Sequence, residues 1–149
     1  MADNTTTDKT TEGLRQLRAT VEALVKGNAG SMTQTELYNA QSLFPDFTPG
    51  AFYRTRQLVR FEGLYYFVLT DTWATTGEGN RPDKDTKAYK LMGTPDENGV
   101  FPFNAPLGEA DAYGIGDKVL VQGDVYVSHV DHNVSIPGKD DGLKNWVKQ

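Results

Sequence analysis

The chain reads as a mainly β protein with an N-terminal α element: a short coiled-coil-like helix followed by two repeated small antiparallel β-modules. Three observations predict this. Apolar residues recur at heptad spacing near the start, a later stretch recurs once without a gap, and each copy turns on a glycine between alternating apolar residues.

Composition sets the limits. A chain of 149 residues, 38% hydrophobic and 23% charged, makes one ordinary domain or two small ones. A net charge of −5 gives no basic footprint for nucleic acid or an anionic membrane, so neither is an expected partner. No apolar run reaches the roughly 18–20 residues that span a bilayer, and the first residues lack the apolar core of a signal peptide. Synthesis in a cytosol is expected. The absence of cysteine removes disulfides, thiolate zinc sites and cysteine nucleophiles together, leaving packing and assembly to hold small modules in place.

Residues 1–11 form a Thr/Asp/Lys tract with almost nothing to bury, and the reading is a flexible tail. From Glu12 to Lys26, Leu14, Leu17, Val21 and Leu24 succeed one another at spacings of three, four and three, the a/d seam of two heptads. Gly27, Asn28 and Gly30 stop the helix. A helix of about 15 residues is marginal alone in water, so its stripe must bury against its own β-domain or against copies of itself. Self-association is preferred, because glycines separate the helix from the rest of the chain and the seam is narrow. A homo-oligomer is expected, with a trimer slightly favoured over a dimer.

Thr33 and Glu36 form a capping box, and Gln34 to Leu43 reads as a second short helix ended by Pro45. The organisation is then a tail over 1–11, an amphipathic oligomerisation helix over 12–26 and a linker with a short helix over 27–46. A first β-module covers 47–92, a linker 93–106, and a second β-module 107–149.

The repeat sets Tyr53–Asp71 beside Tyr113–Asp131. Tyr53 and Tyr113, Val59 and Val119, Gly63 and Gly123, Tyr66 and Tyr126, and Asp71 and Asp131 are identical pairs. Phe61, Tyr65 and Phe67 face Val121, Val125 and Val127, so apolar positions agree where identity does not. Each copy passes Pro82 or Pro137 and closes on Tyr89-Lys90-Leu91 or Trp146-Val147-Lys148. Within a copy, alternating apolar residues flank Glu62-Gly63 or Gln122-Gly123, the two-residue turn of a hairpin. One hairpin buries too little to stand alone, so the opening tyrosine and closing aromatic are expected to pack over it.

The order Tyr113-Gly114-Ile115-Gly116-Asp117-Lys118-Val119, then Gly123, Tyr126, Pro137 and Trp146, resembles the small chitin-binding modules of bacterial chitinases, modules that recur in phage structural proteins. The first copy, led in by Leu43-Phe44-Pro45-Asp46-Phe47, is similar to the phage versions. The resemblance implies a virion structural protein, a head-fibre, decoration or tail-type component assembled in the host cytoplasm with other virion proteins. It also implies polysaccharide contact through an exposed ring after the hairpin. The first copy offers Trp73 there, within Thr70–Arg81, and the second only Asn133-Val134-Ser135-Ile136. A host-surface glycan contact by Trp73 is one reading, and a ring packed into the module edge or an interface is the preferred one. Arg54-Thr55-Arg56-Gln57 departs from the glycine-aspartate turn of the second copy.

Other chemistry is thin. In a strand, His129 and Asp131 would share one face and His132 the other, poor geometry for one ion. Asp83, Asp85, Asp140 and Asp141 lack the glycine and terminal Glu of a calcium loop. There is no phosphate loop and no nucleophile signature. The expectation is a non-enzymatic protein with no catalytic residue, cofactor or metal. The alternative function is a free carbohydrate-binding module.

Overall fold

In the computed structural model, which describes residues 4–41, 44–74 and 80–149, the fold class is the expected one: an N-terminal helical segment followed by small antiparallel sheets. Helix α1 spans Asn4–Asn28, beginning well before Glu12. The tract expected as a tail is therefore helical from Asn4 onward. Once the apolar segment nucleates a helix, each further residue gains a hydrogen bond for little added order.

The end of α1 also differs from expectation. The glycines do not detach it: a 3-10 turn at Ala29–Ser31 leads into α2, Gln34–Gln41, through the expected capping box. The Thr33 N–H donates to Glu36 Oε2 at 2.9 Å, and the Glu36 N–H to Thr33 Oγ1 at 3.1 Å. Val25, Ala29, Leu37 and Phe44 are buried with Leu58, Phe67, Met92 and Phe101. Residues expected as a linker thus roof the first β-module. The sequence pattern extends the second helix to Leu43, which lies outside the described residues.

Both β-modules have one plan. In the first, β1 (Phe52–Tyr53) pairs with β4 (Thr72–Trp73), and β2 (Leu58–Phe61), β3 (Leu64–Val68) and β5 (Tyr89–Gly93) form a sheet in the order β2-β3-β5. In the second, β6 (Lys118–Val121), β7 (Asp124–Ser128) and β8 (Trp146–Lys148) form the same antiparallel sheet, with α3 (Gly142–Asn145) just before β8. Val59 lies opposite Tyr66, and Val119 opposite Tyr126, so the register repeats along with the sequence. The turns carry positive φ at both residues: 50° and 79° at Glu62-Gly63, 50° and 85° at Gln122-Gly123. Two such residues make the I′ turn that matches strand twist.

Each module core is one aromatic triad over one face of its sheet. Tyr53 stacks on Phe47 at 5.9 Å, with Tyr89 edge-on to Phe47 at 6.1 Å. Tyr113 stacks on Phe103 at 5.8 Å, with Trp146 edge-on to Phe103 at 6.2 Å. Stacked and edge-to-face pairs suit the ring quadrupole. The opening and closing aromatics pack as expected, but Phe47 and Phe103 complete the triad from segments upstream. Residues 93–106 are likewise more than a linker. Phe101 is buried under α2, while the Phe103 N–H bonds Leu120 O at 2.9 Å as the Phe47 N–H bonds Arg60 O at 2.8 Å.

The turn at Arg54–Gln57 matches the glycine-aspartate turn despite its different residues. The Gln57 N–H bonds Arg54 O and the Asp117 N–H bonds Gly114 O, both at 3.1 Å. Arg56 holds a φ of 74° where Gly116 holds 89°. The modules meet where Lys90 Nζ lies 2.6 Å from Asp111 Oδ2, a pair of which neither partner is more than 10% exposed.

Candidate functional site

Two surfaces are built from residues singled out in the sequence. The first is the apolar stripe of α1. Val21 turns toward the first module and packs on its core, one turn before Val25 and two before Ala29. Leu14, Leu17 and Leu24 point elsewhere and are 64%, 59% and 61% exposed. The two readings of this helix thus apply to different parts of it: its C-terminal turns pack on their own domain, and its leucine stripe is left open to water. Leu14, Leu17, Arg18 and Val21 line a shallow apolar groove along it. The base of the helix is fixed, because Lys26 Nζ donates to Phe52 O at 3.3 Å and pairs with Glu22 at 3.5 Å. Among the described residues, no helix is long and apolar enough to cross a membrane.

The second surface surrounds Trp73. The preferred expectation is a packed ring, and the structure corrects it: Trp73 is 63% exposed. Its position results from the β1–β4 ribbon, in which Trp73 lies opposite Phe52. The strands of a two-residue ribbon are too short to fold a side chain back under the sheet, so the ring stands at its edge. Phe52 supports it at 5.0 Å with the planes tilted by 48°. Arg54 lies over the other ring at 5.4 Å and pairs with Asp71 at 3.6 Å. Asp71 Oδ1 accepts the Thr55 N–H at 2.7 Å, and Asn80 Nδ2 donates to Trp73 O at 2.7 Å. Hydrogen bonds from Thr55 hold the Asp71 carboxyl below its usual range. Two rings with a guanidinium and a carboxylate at their rim can stack on a flat apolar face and bond hydroxyls around it. Phe52 was not singled out in the sequence; its signal was an aromatic directly before the opening tyrosine, where the second copy has Ala112.

Asn133 bridges to Tyr113 as Thr72 pairs with Tyr53, which places Val134 where the first module holds Trp73. Val134 is exposed, and Ile136 and Leu143 are exposed nearby. Residues 75–79 of the loop after Trp73 lie outside the described residues. His129 and His132 are exposed, and Asp131 accepts the Ile115 N–H at 3.2 Å, so this carboxylate braces a turn as Asp71 does. Asp83 pairs with Arg81 at 2.7 Å.

No protein-family model and no curated protein matches the chain.

Proposed function

We propose that the chain is a non-enzymatic structural protein of a bacteriophage virion, a head-fibre, decoration or tail-fibre-type component. In this reading it oligomerises through α1, as a trimer in preference to a dimer. It projects its two β-modules for assembly with other virion proteins or for adhesion to the host surface. The observation that carries the reading is the division of α1: its last turns are anchored in the domain core, while Leu14, Leu17 and Leu24 lie open to water. Burying a leucine is worth about 1.5–3 kcal/mol, so such a stripe favours a partner with a matching stripe, and a parallel copy supplies one. The tandem repeat supports a projecting role, since it places two small modules beyond one helical stalk. Mass spectrometry of purified phage particles tests the assignment. The chain is expected among the stoichiometric virion proteins, and its recovery solely from the soluble fraction of the lysate would overturn it.

The exposure of Trp73 favours a second reading, a carbohydrate-binding module. The ring and Phe52 form a platform suited to a sugar face, rimmed by Arg54 and Asp71. A single ring binds weakly unless several chains present it together, so this reading gains from oligomerisation. Retention on chitin and on host cell-wall polysaccharide tests it. Trp73→Ala should abolish retention, and retention of that variant at the wild-type level would dismiss the platform.

A further inference from the structure

The geometry points to an inter-module lock made by Arg56 and Asp117, which holds α2 and both β-modules in one fixed orientation. The two residues occupy the repeated turn, one in each copy, at positions where the copies differ. Gly116 is the counterpart of Arg56, and Gln57 is the counterpart of Asp117.

Arg56 sits at a φ of 74°, a conformation that glycine adopts at no steric cost and a long side chain does not. Its side chain reaches across to the second module. Nη1 donates to Ala112 O at 2.9 Å and to Ala110 O at 3.2 Å, and Nη2 lies 3.7 Å from Asp117 Oδ2. The guanidinium also lies 5.3 Å from the centroid of the Phe67 ring, on the core side of the first module. A strained backbone persists where surrounding contacts over-determine it, and here those contacts all belong to the other module or the core.

Asp117 is the second half. It is 1% exposed and joins three segments: Oδ2 accepts the N–H of Gly114 at 2.7 Å in its own turn, Oδ1 accepts the N–H of Gln34 at 2.8 Å at the start of α2, and Arg56 faces it from the first module. In the first copy Gln57 Oε1 accepts the Arg54 N–H at 3.2 Å, so a neutral amide suffices for the turn itself. The turn requires neither the charge nor the second oxygen of Asp117. Both are used by α2 and by the other module.

The only other charged pair between the modules is Lys90 with Asp111, among the described residues. A single such contact leaves two bodies able to rotate about it, and a second one removes that freedom.

Exchanging residues between the copies tests the lock. Arg56→Gly gives the first turn the residue found in the second, and Asp117→Gln does the reverse, so each local turn keeps a residue it already accommodates. Because the chain lacks cysteine, spin labels can be placed uniquely at Leu64→Cys in the first module and Leu143→Cys in the second, both exposed sites. The labelled parent should give one narrow distance distribution. Each exchange should broaden it several-fold while circular dichroism stays native. A distribution as narrow as the parent's in either exchange would overturn the lock. Should an exchange not fold, Arg56→Lys, which keeps the charge and the backbone strain but cannot span both carbonyls, is read by the same criterion.

Discussion

Val134 stands in the second module where Trp73 stands in the first, each at the outer position of the ribbon that succeeds the hairpin. One fold therefore presents an aromatic edge in one copy and an aliphatic edge in the other. Trp73→Ala should cost about 1 kcal/mol or less, the value of one tilted ring pair at the surface. Thermal unfolding checks this, and a loss of several kcal/mol would mean that the ring supports the core.

The second tryptophan is the opposite case. Trp146 is 3% exposed, lies 5.1 Å edge-on to Tyr113 and donates its Nε1–H to Ser135 O at 3.0 Å. Trp146→Ala should cost about 3–5 kcal/mol, enough to unfold so small a module. Denaturant titration followed by near-ultraviolet circular dichroism should show the loss confined first to the second module.

The glycines of the two hairpins make a matched pair. A Cβ at Gly63 or Gly123 would meet no atom within 4 Å, so only the backbone resists substitution. Gly63→Val and Gly123→Val should each cost about 1–3 kcal/mol through strain at φ 79° and 85°. Unchanged melting temperatures in both would contradict the I′ turns.

Acid should separate the two buried aspartates. Burial pushes Asp111 upward, but hydrogen bonds from Lys90 and from the Leu107 and Gly108 N–H groups outweigh it and hold the carboxyl below its ordinary 3.8. A depressed value means stability that is present above about 3.8 and lost as pH falls through the folded value. Burial raises Asp117 despite its two N–H donors, so its contribution is full below 3.8 and declines as pH rises through the raised value. Asp111→Asn should therefore flatten the acid side of the stability curve, measured by urea unfolding between about pH 2 and 5. A slope equal to wild type would show that the Lys90 pair is not linked to folding.

Much of this was legible in the sequence because it is local. The heptad spacing of Leu14, Leu17 and Leu24, the Thr33–Glu36 box and the paired Glu62-Gly63 and Gln122-Gly123 turns each depend on a few neighbouring residues. The aromatic triads were legible only in part. Phe47 precedes Tyr53 by six positions while Phe103 precedes Tyr113 by ten, so an ungapped alignment misses their equivalence. The roof of α1, α2 and Phe101 over the first sheet depends on long-range packing that no local pattern encodes. Trp73 was misjudged because burial was inferred from residue type, whereas the shortness of the β1–β4 ribbon decides it. Arg56 broke the turn pattern, and that departure was the visible trace of its contact with the second module.

The exposed stripe of α1 gives the most direct test of assembly. Val21 also packs on the domain core, so a clean disruption is Leu14→Asp with Leu17→Asp, both on the open face. Charge in an apolar seam is not tolerated without a partner. Light scattering at micromolar concentration should give the wild type three times the chain mass and the double variant a folded monomer. A monomeric wild type would contradict assembly through α1.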